Sequence, residues 1–163
     1  MTIRKFSIED AEFCHRIRCE SFESNFLDEI GEEAVNAGIK AYTPDYFIQM
    51  AENNEFFISE SSGQSAGFFT FKQVVKTTAE LVLIYFDARY HQKGLGRLCC
   101  EFIDHWIMEN WMEVRTIFVD TIIPKYNGNF YRKMGYQESR QVVCEFPKMA
   151  VSATRFEKRL KVC

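Results

Sequence analysis

The sequence predicts a single mixed α/β layer structure, and three observations predict it. Apolar residues recur at helical spacing up to Asn54, strand-like alternation takes over from Glu55, and the apolar run Leu81-Val82-Leu83-Ile84-Tyr85-Phe86 leads through a glycine-bearing turn into another helical pattern. The chain has 163 residues, enough to bury a sizeable core, and one domain over 1–163 is the expectation. With 47% apolar and 26% charged residues the composition is that of a globular protein and excludes a disordered or collagen-like chain. Sixteen Phe and seven Tyr make the core, or a cleft, unusually aromatic.

The elements follow in order. Ile3 and Lys5 alternate as a short first strand, and Ser7 with Asp10 three residues on reads as a capping box. The helix it opens carries Ala11, Cys14, Ile17 and Cys19 towards Phe22. The stretch from Asn25 to Ile39 is helical in pattern but interrupted by Gly31 and Gly38, which predicts one or two short helices. Thr43-Pro44 places a cap before proline at the first helical position, starting a helix through Met50 that ends near Asn53-Asn54. Phe56 to Ser59 and Ala66 to Phe71, joined by the polar turn Ser61-Ser62-Gly63-Gln64, form a hairpin. Residues 81–86 form a central strand. Leu98, Phe102, Ile103, Trp106 and Ile107 then repeat at helical spacing, Val114 to Val119 is a strand, and Asn129 to Met134 is a short helix closed by Gly135. Strands around Tyr136 to Phe146 and Ala153 to Leu160 complete the order.

Charge and cysteine usage narrow the partners. Twenty basic against twenty-three acidic side chains give a net charge of −3, which disfavours nucleic acid. No run reaches the roughly 18 apolar residues of a membrane span, and Met1 to Lys5 leads into polar sequence, so no membrane association and a cytoplasmic location are expected. Cysteines stand at 14, 19, 99, 100, 144 and 163, without paired CxxC spacing or zinc-ligand histidines, so no metal is expected. Their even count permits a disulfide framework; the adjacency of Cys99 and Cys100 and the lack of a secretory signal favour reduced thiols.

The most informative feature is the strand at 81–86 followed by His91-Gln92-Lys93-Gly94-Leu95-Gly96-Arg97 and a helix. Two glycines let the backbone turn tightly, with amide N–H groups converging at the positive end of a helix, the geometry a pyrophosphate needs. As a bare pattern it also describes a ligand-free strand-to-helix turn. A dinucleotide fingerprint requires glycine where Cys99 stands, and a Walker A loop requires Gly-Lys-Ser/Thr, which is absent.

Taken with two further segments, this turn resembles the GNAT superfamily of acetyl-CoA-dependent N-acetyltransferases. The family's Gln/Arg-x-x-Gly-x-Gly/Ala falls on His91 to Gly96, with His91 a departure at the first position. Ala79 to Asp87 is similar to its fourth strand, and Asn129-Phe130-Tyr131-Arg132-Lys133-Met134-Gly135-Tyr136 to its later Phe-Tyr-x-Lys-x-Gly-Phe motif. The detailed match spans about 80–136, and three motifs in the right order are far more specific than one. The resemblance implies the acyl-CoA N-acyltransferase fold, an α/β (α+β) architecture with a mixed central sheet of about six or seven strands flanked by helices.

It also implies roles. Backbone groups of Ile84, Tyr85 and Phe86 would hold the pantetheine arm of acetyl-CoA, and His91, Gln92, Lys93, Gly94, Leu95, Gly96 and Arg97 its pyrophosphate. Tyr131 aligns with the tyrosine that protonates the departing thiolate; a phenol of ordinary pKa about 10 is protonated at neutral pH and available for this. Glu80 is the candidate general base for the attacking ammonium, His91 and His105 being possible by residue type only. No nucleophile motif accompanies them, so direct transfer in a ternary complex is expected. The family's asparagine contact seven residues before the tyrosine falls on Pro124, with Asn127 and Asn129 nearby.

Between Arg18 and Lys40 lie six acids, Glu20, Glu23, Asp28, Glu29, Glu32 and Glu33, and no base. In the family this segment overhangs the acceptor side, where an acidic surface would concentrate a cationic amine. A small, polyamine-like acceptor is therefore expected, contacted by Glu29 and walled by Phe22, Phe26, Tyr42 and Tyr46; a solvated helix face accounts for the same acids. Acetylation of a protein lysine or N-terminus, and a non-catalytic acyl-CoA-binding module, are the alternatives. A homodimer is a further possibility the family suggests.

Overall fold

The computed structural model describes residues 1–147 and 149–160. Seven strands form one mixed sheet: β1 (Thr2–Lys5), β2 (Glu55–Ser61), β3 (Gln64–Val75), β4 (Thr78–Phe86), β5 (Thr116–Thr121), β6 (Gln137–Phe146) and β7 (Met149–Arg159), in spatial order β1-β2-β3-β4-β5-β7-β6. Only β4 and β5 run parallel, and the crossover between them carries helix α4 (Leu95–Asn110). All other neighbours are antiparallel.

The sheet is covered on both faces because β2 and β3 are apolar on both. Phe57, Phe69, Phe71, Leu81, Ile117 and Phe156 pack with Cys99, Ile103 and Ile107 of α4 and with Tyr131 of α5 (Pro124–Lys133). Phe56, Ile58 and Phe68 pack with Cys14 and Ile17 of α1 (Ala11–Ser21) and Phe47 of α3 (Pro44–Asn53). A third cluster joins Phe22, Phe26 and Val35 to Ile123 and Phe146, so α2 (Leu27–Ala41) is anchored over the ends of β5 and β6.

Several boundaries differ from the sequence expectation for identifiable reasons. A π-helical turn, Phe22–Phe26, joins α1 to α2. The break in α2 lies at Gly31 alone (φ 81°), whereas Gly38 is helical: it gives the rings of Phe22 and Phe146 room to close on the helix. β3 runs on to Val75 because β4 begins at Thr78 and pairs with it. β5 starts at Thr116, after Trp111–Val114 has formed a turn, and α5 starts at Pro124, five residues before the motif that marks its end. β7 reaches back to Met149 by pairing with Phe146. The capping box holds: the Asp10 carboxylate accepts from the Ser7 amide (2.9 Å) and hydroxyl (3.2 Å) and pairs bidentately with Arg4. Cys14, Cys19, Cys99, Cys100 and Cys144 are free thiols; Cys163 lies outside the described residues.

Candidate active site

The centre of the sheet is open. β4 and β5 pair only through Thr78↔Thr116, Ala79↔Ile117 and Glu80↔Phe118. Beyond Glu80, β4 stays on β3 as far as Gly67↔Phe86, and β5 stays on β7 as far as Thr121↔Thr154. The two strands therefore diverge, and one backbone edge of Leu81–Phe86 has no strand partner among the described residues. Val82 to Phe86 are only half-buried, which a strand at the middle of a seven-stranded sheet would not be if its neighbour had followed it.

A β-bulge at Val82 sharpens the divergence. Phe71 faces Leu81 and Thr70 faces Leu83, so Val82 is the extra residue and side-chain alternation flips there. Ala79, Leu81, Ile84 and Phe86 pack on the α4 side, while Leu83 and Tyr85 pack on the side of α1 and α3. Glu80, alternating with Ala79 and Leu81, lies on the Tyr85 side. Its carboxylate pairs with Lys72 at 3.2 Å.

The turn that follows is held by a residue the sequence reading passed over. Asp87, 3% exposed, donates its amide to the Ala66 carbonyl, and its carboxylate accepts from the Arg89 amide (3.0 Å), Nε (2.9 Å) and guanidinium (2.6 Å). The Arg89 guanidinium holds this carboxyl down at about 2. The signal was present: an acid at the end of an apolar strand, two residues before an arginine. The imidazole Nε2 of His91 donates to the Phe86 carbonyl (3.1 Å), tying the cradle to the strand end.

From there the backbone enters the left-handed region at Gln92 (φ 59°) and Gly94 (φ 84°), and α4 begins at Leu95. The first intrahelical bond runs from the Leu98 amide to the Gly94 carbonyl, so the amides of Leu95, Gly96 and Arg97 have no helical acceptor. Residues 91–94 are exposed and nothing stands within 4 Å of a Cβ built on Gly94. The Leu95 side chain is buried in the core, leaving only its backbone to the turn. Arg97 pairs with Glu101 (2.7 Å), and the Lys93 ammonium lies 5.2 Å from the Tyr90 ring centre. Gly96 is needed for packing: a Cβ there would fall 2.6 Å from Cε2 of Phe130, so α4 begins directly against α5.

Tyr131 stands next to that contact, 5% exposed, its ring 5.3–5.8 Å from those of Phe130, Phe156 and Tyr136. Burial drives the phenol well above its ordinary pKa, with Cys100 and Tyr85 adding to the effect; no hydrogen bond contributes. The phenol is neutral and keeps its proton across the physiological range. Tyr131 thus shares a core cluster with Ile84 and Phe86 of β4 and follows Phe130, the residue packed against Gly96 at the start of α4. Asn127 Oδ1 accepts from the Thr121 hydroxyl (2.9 Å), and Asn129 accepts from Arg132, so both side chains serve local turns. His105 is exposed and bonded to the Glu101 carbonyl of its own helix, away from this site.

The expected acceptor wall needs correction. Phe22 is 1% exposed and Phe26 6%, and both rings are core of the third cluster, so neither lines a cleft. Tyr42 is half-buried, its ring 4.7 Å from Tyr46, and its carbonyl accepts from Nδ1 of His15 (2.8 Å). Glu29 is exposed on the first turn of α2, and the other five acids of the segment are exposed too, with Glu20 paired to Arg16. No helix among the described residues is long and apolar enough to cross a membrane.

Chemically, a strand edge with free amides and carbonyls can hold an extended chain that carries its own amides, and converging N–H groups at a helix start can hold a diphosphate. The chain is similar to the solved GCN5-related N-acetyltransferase from Rhodopseudomonas palustris (18% identity, TM-score 0.82, covering 98% of this chain and 95% of that one). It is also similar to PaiA N-acetyltransferase from Thermoplasma acidophilum, solved in complex with coenzyme A (19%, TM-score 0.80, 97% and 98%). A third is ribosomal-protein-alanine N-acetyltransferase from Brucella melitensis (15%, TM-score 0.68, 98% and 100%). At these identities the likeness is one of fold. No curated protein matches the sequence. The family model of the GNAT acetyltransferase domain matches residues 52–138, more than half of the chain and all of the diverging strands, cradle and tyrosine helix. The chain belongs to the GNAT acetyltransferase family, with acetyl-CoA as its acyl donor.

Proposed function

We propose that this chain acetylates the primary amine of a small molecule by direct transfer within a ternary complex. The carrying observation is the divergence of β4 from β5 after Glu80, which leaves one backbone edge of Leu81–Phe86 without a strand partner ahead of the turn into α4. Acetyl-CoA fits these groups: the unpaired edge of Ile84, Tyr85 and Phe86 suits the amides of the pantetheine arm. The turn at Gln92 to Arg97, open at Gly94, suits the diphosphate. The thioester supplies the activated acetyl group.

The protein's own groups do the rest. Tyr131, neutral at every physiological pH, holds a proton where a thiolate would leave. Glu80, on the Tyr85 side of β4, is the carboxylate proposed to draw a proton from the ammonium, directly or through water. Helix α2, packed on Ile123 and Phe146, is the proposed roof of the acceptor side, and a roofed site favours a small molecule over a peptide.

A polyamine-like acceptor rests on the acidic segment alone. Its exposed carboxylates can raise the encounter rate of any cationic amine, so the acceptor is proposed more broadly as a small primary amine. A panel of di- and triamines against monoamines, amino acids and peptides, read by thiol release from acetyl-CoA, decides among these. Tyr131→Phe is expected to lower kcat by about 10²-fold with coenzyme A affinity retained; full activity would remove the tyrosine from the mechanism.

A further inference from the structure

We infer that Arg18 is a receptor for a carboxylate on the acceptor amine, an assignment that rests on the transfer site proposed above. Arg18 lies on α1 and is only 6% exposed, yet its Nε and one terminal nitrogen are fully buried with no hydrogen-bond partner. No carboxylate pairs with it among the described residues. Its guanidinium is boxed by aromatic faces instead, 4.0 Å from the Tyr42 ring centre, 4.9 Å from Phe22 and 5.2 Å from Tyr85.

Such an arrangement is costly on its own. Arginine cannot shed its charge by deprotonation, and stacking on rings leaves in-plane N–H donors unsatisfied. Buried polar groups are nearly always paired, and an unpaired buried cation calls for a counter-charge that arrives from outside. The planar guanidinium with free donors is matched to a carboxylate, whose oxygens accept charge-assisted hydrogen bonds from it.

Position makes the counter-charge part of the substrate. Tyr85, one wall of the box, belongs to the splayed half of β4, where its neighbours Ile84 and Phe86 pack in the same cluster as Tyr131. Tyr42 ends α2, the helix proposed above as the roof of the acceptor side. Arg18 therefore stands against the splayed half of β4, on the face that carries Glu80. A fixed positive charge there repels the second ammonium of a polyamine and attracts an amine that carries a carboxylate.

The test separates this assignment from the transferase reading. Binding is read first, without turnover: the coenzyme A complexes of wild type and Arg18→Met, which keeps the apolar stem, are titrated with phenylacetate and with phenylacetamide in a thermal-shift assay. Phenylacetate should stabilise wild type in a concentration-dependent way, phenylacetamide should not, and Arg18→Met should weaken phenylacetate binding by about 10- to 100-fold. The variant, relieved of an unpaired charge, should melt no lower than wild type; Arg18→Lys serves as a second variant that keeps the charge without the planar fork. Activity is read second, on amino acids and their decarboxylated amines. Wild type should prefer the amino acid by at least about 10-fold in kcat/KM, and Arg18→Met should abolish the preference with the KM for acetyl-CoA unchanged. Equal response of wild type and variant to phenylacetate, or no response from either, overturns the assignment even if amines are acetylated. Arg18-dependent carboxylate binding without turnover of any amine upholds it and overturns the transferase reading.

Discussion

Asp87 shows how one carboxylate sets the approach to the turn proposed to hold the cofactor. Buried, it accepts three hydrogen bonds from Arg89, and its folded-state pKa of about 2 lies below the ordinary 3.8. A group depressed in this way adds stability that is complete above about pH 4 and lost as pH falls towards 2. The effect is on the order of 1–2 kcal/mol at pH 7 and roughly half of that at pH 3. The gap in urea-unfolding free energy between wild type and Asp87→Asn should shrink accordingly between these pH values; a gap that stays constant would show that the charge is not what holds the turn. The two glycines of the cradle act differently. A Cβ at Gly96 meets Phe130 at 2.6 Å, whereas one at Gly94 meets nothing but must accept φ +84°. Gly96→Ala should lower stability by about 1–3 kcal/mol and weaken coenzyme A binding by shifting α4 off α5. Gly94→Ala should cost about 1–2 kcal/mol through backbone strain alone. Calorimetric titration with coenzyme A beside thermal melting separates the two effects.

At the scale of elements, α2 is held by close approach instead of by sequence propensity. A Cβ on Gly38 would fall 2.8 Å from the Phe22 ring and 3.0 Å from Phe146, so Gly38→Ala should push the helix outward. The expected result is a loss of about 1–3 kcal/mol, seen as a lower Tm, with acceptor turnover impaired and coenzyme A affinity unchanged. Equal loss of cofactor affinity would mean that α2 bears on the nucleotide side as well. Which elements could be read from the sequence follows from the same physics. Strands and helices with a clear apolar period declare themselves, and the motifs at 91–96 and 129–136 fall within the stretch that the family model matches. The bulge at Val82 did not: within Leu81 to Phe86 every residue is apolar, so a flip of alternation leaves no mark. Phe22 and Phe26 were assigned to a cleft because an aromatic on a helix looks the same whether it faces core or ligand. Nothing in the sequence sets Arg18 apart from a surface cation, because two of the rings that cover it, Tyr42 and Tyr85, are distant in sequence.

Across the whole molecule, β1–β4 with α1 and α3 form one half and β5–β7 with α5 the other. The sheet joins them through only three register pairs, with α4 packed across the seam. A ligand lying along the free edge of β4 would bridge the halves, and a ligand that binds only the folded state stabilises it by mass action. Saturation at about 100-fold over Kd is worth about 2.7 kcal/mol, a rise in Tm of about 5–10 °C for a chain of this length. If the extended chain of coenzyme A fills the gap, hydrogen exchange should slow at the amides of Leu81–Phe86 and of Val119–Thr121 on the facing strand as well as at Gln92–Arg97. These amides sit in a region where the sheet has lost its own partner, so their unliganded exchange should be faster than that of Phe68–Phe71 in the fully paired β3. Protection confined to Gln92–Arg97 would mean that only the diphosphate is held and that the divergence of β4 from β5 serves something other than the cofactor.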